Sequence, residues 1–211
     1  MSMTESLRKA TLAIHVVSSV GWIGALAVFF AHAVVGYASQ DQQLARASYL
    51  AMGVAAWFVI LPLGLTSFVT GLVEGLGTAW GLFRHYWVFF KLALASFATT
   101  VLLLKLAPIS ALSDAAASSA FPGAGLDELR MSMVIHAAGG LVILVLAAIL
   151  AVYKPPGLTP FGARRSGGTA TDVAGMPRWV RKSVWACGVL MILLLAVLLH
   201  GGHGPGAHMH G

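Results

Sequence analysis

The stretch LAIHVVSSVGWIGALAVFFAHAVV, from Leu12 to Val35, decides the fold class of this chain. It contains no Asp, Glu, Lys or Arg, and it exceeds the ~20 apolar residues that cross the ~30 Å hydrocarbon layer of a bilayer as a helix. It nevertheless holds His15 near one end and His32 near the other, about 25 Å apart along a helix. Titratable rings at membrane depth are costly and tend to mark a function. The sequence therefore predicts a transmembrane helix with functional histidines.

The composition places the rest of the chain in the membrane as well. Its 211 residues are 58% hydrophobic and 9% charged, with a mean hydropathy of +0.86, which excludes an ordinary soluble domain. The net charge of +6 is not gathered on a folded polar domain, so nucleic acid is excluded as a partner. The single cysteine, Cys187, excludes an internal disulfide. We expect one all-α membrane domain with the lipid bilayer as its main partner.

Five apolar stretches predict a bundle of five transmembrane helices. Residues 154–178 contain several Pro, Gly and Arg residues and predict a flexible cytoplasmic loop. Residues 108–129 predict a loose outer loop, with room for a short helix over 109–119, and Pro62 predicts a kink in the second span. Gly71 and Gly75 permit close approach of a helix or ligand near the end of that span. The predicted spans are about 11–36, 47–73, 86–107, 130–153 and 179–200.

The positive charges predict the orientation of the bundle. Cytoplasmic ends of membrane helices carry an excess of Lys and Arg, and here the amino-terminal side holds most of them. We therefore expect a multi-pass protein of the bacterial inner membrane, with a cytoplasmic amino terminus and a periplasmic or extracellular carboxy terminus. The amino-terminal side holds Arg8, Lys9, Arg84, Lys91, Lys154, Arg164, Arg165, Arg178, Arg181 and Lys182, and the other side holds Arg46, Lys105 and Arg130.

Histidines from different helices are expected at two depths. His32 and His136 are expected near the outer face, because the first span ends there and the fourth begins there; His15 and His85 are expected near the cytoplasmic face. Pairs of imidazoles are what bis-histidine ligation of haem b needs. Gly139 and Gly140 next to His136 should leave a gap for a flat macrocycle. The alternative for the buried rings is hydrogen bonding between helices without a cofactor, and for His85 a solvated or lipid-facing position.

The tail HGGHGPGAHMHG, residues 200–211, concentrates metal ligands on the predicted outer side. Imidazole suits copper(II) and other divalent metals, and a thioether adds a preference for copper(I). Because the spacing is irregular, the tail predicts a weak, flexible chelator; the alternative is a tail without a metal role. The ligands would be His200, His203, His208, His210 and Met209.

Three short patterns carry a resemblance to a known family. His15-x6-Trp22-x-Gly24 lies in the first span, Trp87-x3-Lys91-Leu92 opens the third, and His136 lies in the fourth. Over about residues 8–153 the chain resembles the CopD-like superfamily of small bacterial integral membrane proteins. That superfamily includes copper-resistance D-like proteins, HemJ-like protoporphyrinogen oxidases and uncharacterised members.

The resemblance implies different functions by branch. The HemJ-like enzymes imply that His15 and Lys91 take part in haem binding and activity, although this chain lacks their arginine late in the first helix and has an additional helix. The copper branch implies copper handling at the outer face, through the tail and through His32, Met131, Met133 and His136.

The leading prediction is an integral membrane protein that binds haem b and transfers electrons through its intramembrane histidines, as an oxidoreductase or redox subunit. A redox partner or a quinone is then expected, and the chain could form an oligomer or belong to a larger membrane complex. The alternatives are a copper-handling protein and a cofactor-free structural subunit. The sequence offers no Ser/His/Asp set and no paired carboxylates for hydrolysis.

The charge asymmetry yields a topology prediction. A reporter that is active only in the periplasm should be active when fused after Gly211 and inactive when fused after Phe161, because the two fusion points lie on opposite sides of the fifth span. The opposite pattern of reporter activity would reverse the orientation and exchange the leaflets assigned to the histidines.

Overall fold

A computed structural model describes residues 4–77, 82–118, 121, 125–160 and 178–180, together with positions 182, 185, 186, 188, 189, 192, 193 and 196. Within these residues the chain is helical, and no β-strand occurs in them apart from an isolated bridge between His85 and Leu158. The helices are α1 (Glu5–Ala38), α2 (Gln42–Ala55), α3 (Leu61–Gly77), α4 (Tyr86–Ala117) and α5 (Asp127–Tyr153), and a π-helical turn (Ala56–Ile60) joins α2 to α3.

Four helical segments are long and apolar enough to cross a membrane: α1, the continuous segment Gln42–Gly77, α4 and α5. The predicted all-α, multi-pass membrane class is therefore confirmed for these four spans. The described positions of the fifth predicted span, 179–200, are helical, but most of that span lies outside the described residues. The greater part of the predicted loop, 161–177, and the whole tail, 201–211, also lie outside them.

Polar side chains cap the amino-terminal ends of the first two helices. The Thr4 hydroxyl accepts a hydrogen bond from the Leu7 N–H and caps α1. The Asp41 carboxylate accepts from the N–H groups of Gln43 and Leu44 and caps α2. Because these caps satisfy amide groups that a helix leaves without partners, α2 begins at Gln42. The helix thus begins before residue 47, where the sequence predicted the second span to start.

The π-helical turn lies directly before Pro62. Proline has no N–H, and its ring crowds the carbonyl four residues back, which here belongs to Phe58. The Leu61 N–H bonds to the Ala56 carbonyl, five residues back, rather than to the usual fourth residue. The distortion that the sequence predicted at Pro62 therefore takes the form of a π turn in the middle of the second span.

Helix α4 continues through Pro108 to Ala117 instead of ending near residue 107. Ile109, Leu112 and Ala116 recur at helical spacing and are all buried. These residues extend the buried face of α4, which packs against α2 as well as α3 and α5. The short helix that the sequence allows over 109–119 is observed as the continuation of α4 rather than as a separate element, whereas residues 119, 120 and 122–124 of the expected loop lie outside the described residues.

The first residues of the predicted flexible loop are held in place. The Gly157 carbonyl accepts from the Tyr86 N–H at 3.3 Å, and the Thr159 N–H donates to the Arg84 carbonyl at 3.0 Å. The Trp179 indole N–H donates to the Pro156 carbonyl at 2.9 Å. Residues 156–159 are thus bonded to the connection before α4 and to the start of the fifth predicted span.

Helices α1 and α4 each contact all three of the helices α2, α3 and α5. Side chains on the outside of the bundle are apolar, among them Val17, Phe58 and Leu104, which are 70%, 78% and 55% exposed. A soluble protein would place polar groups there, whereas a bilayer solvates such a surface.

Gly36 provides a close contact between α1 and α2. A Cβ atom at Gly36 would lie 2.7 Å from Cζ of the buried Tyr49 ring. The Arg130 side chain adds to this contact, because its Nε donates to the Tyr49 hydroxyl at 2.8 Å and its Nη2 to the Gly36 carbonyl at 2.7 Å. The ring therefore has little freedom to move away from a larger residue at position 36.

We expect Gly36→Ala to lower the free energy of unfolding by about 1–3 kcal/mol, the usual cost of overpacking. Gly24→Ala is the matched control on the same helix, because a Cβ there meets nothing within 4 Å and alanine favours helix formation. Unfolding in mixed detergent micelles measures both. Equal stability of the two variants would contradict the packing described for Gly36.

Candidate functional site

The ring of His15 is buried among α1, α3 and α4, where both of its nitrogens are engaged. Nδ1 lies 3.0 Å from the Ser67 carbonyl oxygen and 3.1 Å from the Thr70 hydroxyl. Because a carbonyl can only accept, Nδ1 carries the proton and Nε2 is the basic nitrogen. Lys91 Nζ lies 3.1 Å from that Nε2. His15 and Lys91, which the resemblance associates with one function, are therefore in direct contact.

Small residues on α3 make room for the His15 ring. A Cβ at Gly71 would lie 3.0 Å from the ring carbon Cε1. The hydroxyls of Ser19 and Ser67 are 2.7 Å apart and join α1 to α3 one turn further along. The close approach that the sequence predicted at Gly71 is confirmed, and the group that approaches is the imidazole of His15.

Lys91 lies inside the bundle, whereas the sequence placed it with the basic residues expected at the cytoplasmic ends of the helices. It is half-buried, and it interacts electrostatically with Glu74 of α3 and with Lys154 after α5. We call His15, Lys91, Ser67, Thr70 and Glu74 the inner group. It combines an imidazole, an amine and a carboxylate from three helices.

A second buried group lies toward the other end of α4. Lys105 Nζ donates to the Ser132 hydroxyl at 3.0 Å, and that hydroxyl lies 3.3 Å from His136 Nδ1. His136 Nδ1 also lies 2.7 Å from the Ser132 carbonyl oxygen. Since the carbonyl must accept, His136 is protonated on Nδ1 and Nε2 is its basic nitrogen. We call Lys105, Ser132 and His136 the outer group; each is no more than 6% exposed.

An apolar cavity of about 60 Å³ adjoins the outer group. Lys105 and His136 are its polar lining residues, whereas the rest of the lining is almost wholly apolar. On α4 the lining runs from Phe97 to Ile109, and on α5 from Met133 to Leu144, which corresponds to about 16–18 Å along the helices. The cavity therefore follows the bundle axis and has its polar groups toward one end. The other lining residues are Trp22, Leu26, Phe29, Ala56, Ile60, Ala98, Val101, Leu102, Ala137, Gly140 and Ile143.

The structure does not join the histidines in the pairs that the sequence predicted. His32 is half-buried, and its side chain forms no hydrogen bond with another described residue. It is also not among the residues that line the cavity of His136. His85 precedes the first turn of α4 and pairs through its backbone with Leu158, while Lys91 and Ser67 occupy the ring nitrogens of His15. The His15 ring contacts Ser67, Thr70 and Lys91, and the His136 ring contacts Ser132.

The gap expected next to Gly140 is narrowed by Leu26, although Gly140 still lines the cavity. Leu26 Cδ2 of α1 lies 3.2 Å from the position of a Cβ at Gly140. The predicted copper ligands Met131 and Met133 also separate, because two residues along a helix differ by about 200° in direction. Met131 is 39% exposed, whereas Met133 is 2% exposed and lines the cavity.

Sequence reasoning missed Lys105 and Ser132 as members of a site. Two signals could have found them. Lys105 interrupts the apolar run VLLLKLA, 14 residues after Lys91, which places both amines within about 40° of one another around α4. Ser132 and His136 are four residues apart and share one face of α5.

Among the described residues, no group of three or more His, Cys, Asp or Glu side chains could hold a metal ion. The proposed chelating residues of the tail, His200, His203, His208, His210 and Met209, lie outside the described part of the chain. The metal prediction for the tail therefore stays a prediction.

The fold and the two buried groups define a multi-pass helical membrane protein with paired imidazole and amine side chains in its interior. Comparison with models of known protein families, with curated proteins and with solved structures finds no match to this chain. The CopD-like resemblance accordingly rests on its three sequence patterns alone.

The hydrogen bonds predict the tautomers of the two buried histidines. In protein labelled with ¹⁵N-histidine, His15 and His136 should both show a protonated Nδ1 and an unprotonated Nε2, because each Nδ1 faces a carbonyl oxygen. His15→Gln and His136→Gln assign the two signals. A protonated Nε2 in the neutral form of either ring would contradict the geometry of its group.

Proposed function

We propose that this protein binds a b-type haem in the cavity next to the outer group and takes part in electron transfer within the membrane, with His136 as an iron ligand. The observation that supports this function is the orientation of the His136 ring. Its Nδ1–H is directed to the Ser132 carbonyl at 2.7 Å, and its ring lines the cavity. Metal-binding histidines generally donate their other N–H to a carbonyl or carboxylate, which fixes the tautomer and raises the basicity of the ligating nitrogen.

The lining of the cavity fits the chemistry of a macrocycle. Ala98, Ala137 and Gly140 are small, and the remaining walls are apolar and aromatic. The volume is smaller than the ~300–1,000 Å³ of ordinary cofactor pockets, so haem would have to displace side chains. Leu26, which packs against Gly140, is the first of these. The apolar walls contributed by α1, α4 and α5 would exclude water from the group.

Haem supplies one-electron chemistry when it is bound. His136 would bind the iron, and Ser132 would hold the imidazole through its carbonyl. His136 is the histidine that would hold the iron in this cavity, since His32 does not line it. The inner group offers a second imidazole of the same tautomer, but Lys91 occupies its Nε2, which makes His15 the weaker ligand. The copper alternative depends mainly on the tail.

The absorption spectrum of purified protein, oxidised and then reduced with dithionite, tests the proposal. Wild-type protein from haem-sufficient cells should show a Soret band, and His136→Ala should lose it or shift it. His85→Ala is the control and should keep the band, because His85 lies at the start of α4, away from the residues that line the cavity. Absence of a Soret band from the wild-type protein would overturn the proposal, as would an unchanged spectrum of His136→Ala.

A further inference from the structure

We propose that the same cavity is a binding site for a lipophilic carboxylate, an amphiphile with one acidic head group and a narrow apolar chain, and that Lys105 is the counter-charge for its head. This inference goes beyond the proposed function. It concerns Lys105 rather than His136, and its test requires no haem.

The buried amine of Lys105 has no acidic partner among the described residues. The amine lies inside the bundle, and its hydrogen bond goes to the neutral hydroxyl of Ser132. An ammonium group has three N–H donors, so this bond leaves donor capacity. Among the described residues no acid pairs with it: the ion pairs there are Lys9 with Glu5 and Arg130 with Asp127. The described acids are Glu5, Asp41, Glu74, Asp114, Asp127 and Glu128, and the remaining acid, Asp172, belongs to the predicted cytoplasmic loop.

Lys91 has different surroundings from those of Lys105. It lies on the same helix and on nearly the same face as Lys105, but it interacts electrostatically with Glu74 and contacts the basic nitrogen of His15. Lys105 has no such carboxylate. Nor does it reach the lipid–water interface by extending along the surface, as lysines near helix ends often do, because only 6% of it is exposed.

A buried cation without an anion is costly in a membrane. Intramembrane charges are retained where they pair with another group or mark the path of a substrate. The described acids do not supply the anion, and the carboxylate of a bound ligand would supply it. Carboxylate oxygens accept strong, charge-assisted hydrogen bonds from an ammonium group.

The shape of the cavity defines the rest of the ligand. Its apolar lining extends from the level of Lys105 along both α4 and α5 toward the middle of the bundle. Its small volume suits a single chain, which could lengthen its path by displacing flexible side chains. An acid at the Lys105 end with a hydrocarbon chain along the cavity would satisfy both the charge and the apolar walls.

Binding of dodecanoate and of dodecanol to the full-length protein in zwitterionic nanodiscs tests the proposal. Titration calorimetry, with empty nanodiscs subtracted, should show dodecanoate binding about tenfold more tightly than dodecanol, at a pH at which the acid is ionised. The two probes have the same chain and differ in the head group. Equal binding of both, or binding of neither, by the wild-type protein would overturn the proposal.

Lys105→Met removes the charge but keeps the length of the side chain, and it should abolish the preference for dodecanoate while dodecanol binding stays within about threefold. Lys105→Arg keeps the charge and should keep the preference, which also covers the case in which the methionine variant does not fold. Lys9→Met is the matched control, because Lys9 is exposed and pairs with Glu5. A preference that survives in Lys105→Met, or that is lost in Lys9→Met, would overturn the role of Lys105.

The two proposals fail separately. Because both ligands would occupy the same cavity, the calorimetry uses haem-free protein. A Soret band in haem-containing protein, together with no preference for dodecanoate in haem-free protein, would remove the carboxylate site and leave the haem proposal in place. A preference for dodecanoate without a Soret band would have the reverse consequence.

Discussion

Polar side chains inside a membrane bundle have no bulk water to bond with, so their partners come from the protein or from a bound ligand, and the structure depends on this constraint. Between helices in lipid there is little hydrophobic driving force, so close packing and hydrogen bonds hold them together. Here the buried polar contacts are of two kinds: some, such as the bond from the Ser48 hydroxyl to the Leu44 carbonyl, stay within one helix, and others join different helices. His15 and Lys91 join α1 to α4, Lys105 and Ser132 join α4 to α5, and Arg130 joins α5 to both α1 and α2.

Small residues allow these polar groups and the large aromatic rings to fit between the helices. A Cβ at Gly71 would crowd the His15 ring, one at Gly64 would lie 3.1 Å from the Trp22 ring, and one at Gly36 would collide with Tyr49. In each pair the glycine lets a ring from a neighbouring helix approach the backbone. The positions of the rings, and of the imidazole of His15 among them, are therefore fixed by the same contacts that assemble the bundle.

Helix α4 organises the chemistry of the interior. Its two lysines are about 21 Å apart along the helix, and each forms part of a group that contains a buried histidine. The groups differ in charge, because Glu74 accompanies Lys91 whereas Lys105 faces an apolar cavity. The inner group is thus largely satisfied by the protein itself. The outer group adjoins a cavity and contains the amine of Lys105, which has no carboxylate partner among the described residues. Both proposals therefore concern it.

The sequence by itself determined the membrane class and the positions of four spans, because long uncharged runs favour helices in a bilayer. It also determined the distortion at Pro62, because proline lacks an N–H. The burial of His15 and His136 followed from their positions within apolar runs. The sequence did not determine which side chains meet. Hydropathy carries no information on the order of helices around a bundle, so the pairs predicted for His32 and His85 were not the contacts that formed. Only the tertiary structure brought Lys105 to Ser132 and placed Leu26 against Gly140, since each contact joins two different helices and depends on how those helices pack.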